Sequence, residues 1–173
     1  MTNKVPLAAV PLKYDVLNRR LLMRPVSRPN DSLQLDDKLV AGFEIEEPAD
    51  GLSPARRRLF RRFSEAATPA QRADYVEVLH EGNYVLLKHY DKTLRKANFQ
   101  GAYSSGQRYD EIEDKLTYYL RRPDGSLTPV KLVAKAMQTA APALAATLKS
   151  TPDAEKAKTE ADWVKLWATI DKK

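Results

Sequence analysis

The stretch DYVEVLHEGNYVLLKHY, residues 74–90, decides how this chain folds. Two runs of alternating apolar and polar residues flank Glu81-Gly82-Asn83, and such alternation fits strands with one face buried. Gly82 accepts positive φ, so a type I′ turn at Glu81-Gly82 or a type II′ turn at Gly82-Asn83 would close the pair. Either way one face carries Val76, Val78, His80, Val85, Leu87 and His89. The other carries Tyr75, Glu77, Leu79, Tyr84, Leu86, Lys88 and Tyr90. The second turn sets Glu77 opposite Lys88, a cross-strand pair worth a few tenths of a kcal/mol, up to about 1.

Upstream, LKYDV (12–16) and RLLMR (20–24) flank Leu17-Asn18-Arg19 as a short hairpin, and PVSRPNDS (25–32) reads as a loop. A brief SLQL (32–35) precedes KLVAGFEIEE (38–47), where Phe43 and Ile45 alternate with Glu44 and Glu46. RRLFRRF (57–63) also reads as a strand, but neither alternating set is purely apolar, which suggests an edge position or a wet face. SEAATPAQRAD (64–74) suits a short helix.

Downstream, residues 91–111 show weak periodicity and read as a long loop. LTYYLRRPDGSLTPVKL (116–132) forms a second hairpin. In its turn Pro123 presets φ, Asp124 bonds nearby backbone and Gly125 takes positive φ. Beyond Leu132 the period becomes helical: Val133, Met137, Ala140, Leu144 and Leu148 recur on one face, and Pro142 must kink or split that helix. STPDAEKAK (150–158) reads as a charged connector. Thr159 with Asp162 caps a last helix whose face carries Trp163, Leu166, Trp167 and Ile170.

Strands first and helices last define an α+β domain. The expectation is a single domain over 1–173, mainly β over 1–132 and helical over 133–173. The β part is an antiparallel meander of about six to eight strands, as a curved sheet or partly closed barrel.

Composition narrows the chemistry. The absence of cysteine excludes disulfides, thiolate nucleophiles and cysteine-ligated metals. No run of about 18 apolar residues is present to span a bilayer. The beginning, MTNKVPLAAVPLKYD, is too broken by Pro6 and Pro11 for a secretory leader. The protein is then either cytosolic or a mature form whose leader has been removed.

No catalytic, cofactor-binding or metal-binding residues emerge. His80 lies beside the turn and His89 farther down the partner strand, roughly 13–20 Å away at about 3.3 Å per residue, so they form no dyad. No local spacing supplies either with a carboxylate or hydroxyl partner. Ser104-Ser105-Gly106 lacks a strand–turn–helix context, and no phosphate-binding glycine loop exists. The acidic groups Asp110, Glu111, Glu113 and Asp114, and Glu44, Glu46, Glu47 and Asp50, read as solvated strand edges rather than a cation loop.

Charge offers the one positive signal. The net charge is +6, and residues 51–108 hold eleven Lys/Arg against five Asp/Glu. Arg57, Arg58, Arg61 and Arg62, next to Arg56, alternate along one strand, with Arg58 and Arg62 on one face and Arg57 and Arg61 on the other. Lys88, Lys92, Arg95 and Lys96 extend the patch, and these eight are the candidate anion-binding residues. Guanidinium forks suit phosphate, sulfate and carboxylate. Tyr90, Phe99 and Tyr103 nearby would also suit nucleic acid by composition, although no recognisable nucleic-acid module accompanies them.

The segments VPLKYDVLNRRLLMR, LVAGFEIEE, the run from Tyr75 to Lys131, and the closing TEADWVKLWATID together resemble a group of uncharacterised envelope proteins of Bacteroidota bacteria. The resemblance extends from about Val10 to Asp171 and is most specific between Tyr75 and Lys131. It implies a periplasmic or outer-membrane-associated mature protein and carries over no catalytic residue. The resulting expectation is a non-enzymatic envelope protein with a binding or structural role. Its basic sheet would meet an anionic polymer, a lipid headgroup or a protein partner, without a cofactor. The alternatives are a glycan- or lipid-acting hydrolase with a spatially assembled acid/base site, and a cytosolic nucleic-acid-binding protein.

Overall fold

The 74–90 hairpin forms with one residue more than simple alternation allows. In the computed structural model, which describes residues 9–28, 30–51, 54–98 and 109–171, Tyr75–Glu81 pairs antiparallel with Val85–Arg95. Glu77 faces Lys88 and Val78 faces Leu87, but His80 faces Leu86 and Glu81 faces Val85. A bulge between Val78 and His80 absorbs the extra residue, which moves a side chain to the opposite face. His80 therefore leaves the His89 face, contrary to the alternation read from sequence. The turn is a three-residue loop, Gly82 to Tyr84, rather than a two-residue type I′ or II′ turn, and Gly82 does not take positive φ. The loop is closed by the Gly82 N–H donating to the Tyr84 carbonyl at 3.0 Å.

The fold is α+β, an antiparallel meander followed by helices, in two open sheets. A three-stranded sheet comprises β1 (Leu12–Asp15), β2 (Arg20–Met23) and β3 (Leu33–Gln34). A six-stranded sheet runs in sequence order through β4 (Gly42–Glu47), β5 (Arg56–Arg62), β6 (Tyr75–Glu81), β7 (Val85–Arg95), β8 (Glu111–Arg121) and β9 (Leu127–Val130). Two compact units emerge, residues 1–40 with 90–116, and residues 41–89 with 117–173, so the division falls within β7 and β8.

In the first unit, Asp15 organises the β1–β2 turn. Its carboxylate accepts from Asn18 N–H and Nδ2 and from Arg20 Nε, at 2.9–3.1 Å. Those bonds, the Asn18 side chain foremost, hold its carboxyl below the ordinary range. The strand parts of β7 and β8 in this unit correct the reading of 91–111 as a loop. Strand continues to Arg95 and resumes at Glu111, while Phe99 to Arg108, including Tyr103 and Ser104-Ser105-Gly106, lie outside the described residues.

In the second unit the six-stranded sheet buries side chains on both faces. Leu86 and Leu120 belong to a cluster with Met137, Leu148, Trp163 and Trp167 from the helices. Val76, Val85 and Leu87 point the other way and pack with Phe63 and Ala66. The 63–74 segment is closed by the Phe63 N–H donating to the Asp74 carbonyl, and it contains α1 (Pro69–Arg72). β5 lies between β4 and β6, so its mixed pattern does not mark an edge. Its wet part is real, since Arg57 and Leu59 are exposed.

Pro142 splits the alanine-rich helix into α2 (Ala134–Ala140), a 3-10 turn at Pro142–Leu144 and α3 (Ala145–Ser150). The charged connector contains α4 (Pro152–Lys156), because Pro152 suits the first helical turn and Ala154 is fully buried. Among the described residues no helix is long and apolar enough to cross a membrane. The last helix, α5 (Glu160–Ile170), starts with a complete capping box. Thr159 Oγ1 accepts from the Asp162 N–H at 3.2 Å, and Asp162 Oδ2 accepts from the Thr159 N–H at 2.9 Å. Thr159→Ala should cost about 1 kcal/mol and lower the urea midpoint of the α5 tryptophan fluorescence transition without changing its slope.

Candidate functional site

The arginines of β5 are held largely by ion pairs. Ile45 sits opposite Arg58, Glu46 opposite Arg57 and Glu47 opposite Arg56, which brings the acidic strand against the basic one. Arg58 grips Glu77 with a two-pronged fork, Nε to Oε1 and Nη2 to Oε2, both 2.8 Å. Its Nη1 reaches Glu47 Oε1 at 2.8 Å. Arg56 closes the ring at 3.4 Å from Glu47 and 3.7 Å from Glu77. Glu77 is 4% exposed and the Arg58 side chain 17%, so this pair is desolvated.

The other arginines are tied in different ways. Arg57 pairs with Glu44 at the surface, where its side chain is 69% exposed. Arg61 bonds Glu65 at 2.7–2.8 Å. Burial pushes the Glu65 carboxyl up, but the bonds from Arg61 and from its own backbone outweigh that and leave it below the ordinary range. The Arg62 guanidinium lies 4.1 Å over the Tyr75 ring, a cation–π contact, and donates to the Ala73 carbonyl.

The cations of β7 are also engaged. Lys88 bonds Glu160 at 2.7 Å and lies 5.9 Å from the Tyr118 ring centroid. The Tyr118 hydroxyl donates to the same Glu160 oxygen at 3.0 Å. Burial, then the Glu160 hydrogen bond and charge, push Tyr118 up from 10.0 to about 12. In the first unit, exposed pairs join Lys92 to Asp114 at 3.0 Å and Arg95 to Glu113 at 3.2 Å. Lys96 is exposed. The acidic residues that begin β8 thus reappear as partners for the basic cluster that ends β7.

Both histidines have carboxylate partners that no local spacing announced. His89 Nε2 donates to Asp74 Oδ2 at 2.9 Å, with the two side chains 2% and 3% exposed. Its ring stands 5.3 Å from Phe63 and 6.5 Å from Tyr119. The pair pins the end of the 63–74 segment to β7, sealed from solvent. His80 Nε2 donates to Asp171 Oδ2 at 3.1 Å, and the same oxygen accepts the Tyr84 N–H at 2.8 Å. Asp171 ends α5, and His80 stacks near Trp167, 6.1 Å between centroids. This carboxylate latches the helix end to the hairpin turn. A group of three or more His, Cys, Asp or Glu able to hold a metal is absent among the described residues.

Of the eight sequence-derived cations, Arg58, Arg61, Arg62 and Lys88 are committed to the sheet. Arg57, and in the other unit Lys92, Arg95 and Lys96, remain at the surface. The signal missed for His89 was Asp74, which opens the β6 stretch; that for His80 was Asp171, the residue ending the tryptophan-bearing helix. Compared with protein families, with curated proteins and with solved structures, the chain matches none.

Two measurements probe this geometry. A Cβ at Gly82 would lie 2.2 Å from Asp171 Oδ2 and 2.8 Å from His80 Nε2. Gly82→Ala should therefore destabilise by about 1–3 kcal/mol, read by chemical denaturation, whereas Gly51→Ala, with nothing within 4 Å, should change little. Because folding raises the Tyr118 pKa, its contribution is complete below pH 10 and is lost as pH rises from 10 toward 12. Tyr118→Phe should flatten that alkaline loss in a stability–pH series.

Proposed function

We propose that the protein works by contact rather than by catalysis, as a non-enzymatic bacterial envelope protein with a binding or structural role. The observation that carries this reading is the state of its two imidazoles, the residues best suited to proton transfer near neutral pH. Each is engaged by a carboxylate that also ties two elements together, and the His89–Asp74 pair is sealed from any substrate. The envelope assignment comes from the sequence resemblance.

The anionic-partner reading narrows to the cations held loosely. Exposed ion pairs contribute only about 0–1 kcal/mol, so a phosphate or sulfate can displace Glu44 from Arg57, or Asp114 and Glu113 from Lys92 and Arg95. Separating the buried Arg58–Glu77 fork would instead leave an uncompensated buried carboxylate, at a cost of about 3–5 kcal/mol. Contact with an anionic partner therefore falls on Arg57 and on the Lys92–Arg95–Lys96 cluster.

A panel of dextran sulfate, phosphatidylglycerol vesicles and a single-stranded oligonucleotide at low salt tests this. The expected result is salt-sensitive binding that Arg57→Glu, or the triple change Lys92→Glu, Arg95→Glu and Lys96→Glu, weakens about tenfold, which is 1.4 kcal/mol. Absence of binding to every probe would sink the anionic contact, and hydrolysis of an envelope polymer by the purified protein would sink the non-enzymatic reading.

A further inference from the structure

The paired cations draw attention to those left over, and two of these converge between β9 and α2. An open depression of about 380 Å³ is lined there by Arg122 and Lys135, by the hydroxyl-bearing Thr128 and Thr139, and by Pro129 and Val133. Among the described residues no carboxylate lines it. Its volume falls at the lower end of the range for small-molecule sites.

The depression arises from two local rules. The Pro123-Asp124-Gly125 turn, with Gly125 at φ 83°, returns the chain into β9 and leaves Arg122 just past the end of β8. Pro142 breaks the following helix, so the Leu144 N–H goes to the Ala141 carbonyl and leaves that of Ala140 without its helical donor. Arg122 Nε fills the gap, donating to Ala140 O at 2.6 Å. That bond fixes the guanidinium by one nitrogen. Its Nη1 and Nη2, like Lys135 Nζ and the Thr128 hydroxyl, have no hydrogen-bond partner among the described residues. Thr139 Oγ1 donates to the Lys135 carbonyl at 3.0 Å and keeps its accepting capacity.

The rest of the lining is apolar. Val133, at the N-cap of α2, is 50% exposed, and Pro129 is exposed beside it. Pro129 has no N–H, so β9, although an edge strand, is poorly suited to accept an added strand. Asp124, exposed in the turn and held by the Ser126 N–H at 2.8 Å, feels the Arg122 charge but does not line the depression.

We propose that this depression binds a small monocarboxylate carrying a short apolar group. The free Nη edge of Arg122 would take the two carboxylate oxygens side by side, Lys135 would add a second positive charge, and Val133 with Pro129 would cover the apolar part. A phosphate dianion fits less well, because one guanidinium and one ammonium leave part of its oxygen surface without donors. Free aliphatic acids and peptide chain ends share the required chemistry.

Titration of the 15N-labelled full chain with hexanoate, the tripeptide Gly-Gly-Val, its C-terminal amide and inorganic phosphate decides the matter. Saturable amide shifts at Thr128, Val133, Lys135 and Ala136 are expected with at least one of the two acids, and whichever binds more tightly identifies the source. The amide should bind weaker by about tenfold or more. Arg122→Gln also removes the bond to Ala140 and so loosens the end of α2. Lys135→Glu is therefore the deciding variant, and it should weaken the acid about fivefold or more with the rest of the spectrum unchanged. An amide or phosphate that binds as tightly as the acids, indifference to Lys135→Glu, or no saturable shift with either acid would overturn the site. These residues are separate from Arg57 and from Lys92, Arg95 and Lys96, so either assignment can fail without the other.

Discussion

Much of the second unit is organised around one carboxylate, that of Glu77, buried in the middle of a six-stranded sheet. It stands between Phe60 and Lys88 in register, and the Arg58 fork reaches it while also holding Glu47. Four consecutive strands, β4 to β7, thus meet around one acid. A desolvated ion pair adds little net stability, because removing both charges from water offsets most of the attraction between them. Its effect is on register. A slip of one residue in β6 would turn Glu77 toward Phe63 and Leu87 and put Val76 or Val78 among the charges, so only one pairing satisfies both faces.

The same arrangement explains why much of the basic character of the linear sequence is neutralised within the sheet rather than displayed at the surface. Residues 51–108 carry the whole net charge of the chain, and besides Glu65 and Glu77 within those limits many of the acids that answer them come from outside. Glu44 and Glu47 come from β4, Asp114 and Glu113 from β8, and Glu160 from α5. Antiparallel pairing folds blocks of opposite charge against one another. Arg122 and Lys135 also escape this cancellation, in segments that look unremarkable when charge is counted along the chain.

The histidines show a related limit. Each lies in β6 or β7, but its partner comes from elsewhere: Asp74 from the residue before β6, and Asp171 from the end of the last helix. His80 meets Asp171 only because a bulge rotates it to the helix-covered side and because Gly82, without a side chain, lets the carboxylate approach. Alternation cannot reveal a bulge, since one inserted residue leaves the composition of both runs unchanged. Of the site itself, the sequence showed the β5 and β7 cations but not their partners, and it did not single out Arg122, Lys135 or Thr128.

What the amino-acid sequence determined by itself were the features governed by neighbours along the chain. These are the α+β order, the Gly125 turn, the break at Pro142, the Thr159–Asp162 cap and the tryptophan face of α5, each set by backbone sterics or hydrogen bonds within a few residues. Only the tertiary structure decided that β5 is interior, that strand continues to Arg95, that residues 152–156 are helical, and which cations are neutralised. Those outcomes depend on which strand lies beside which and on what is buried, and contacts between residues far apart in sequence leave no periodic trace in it.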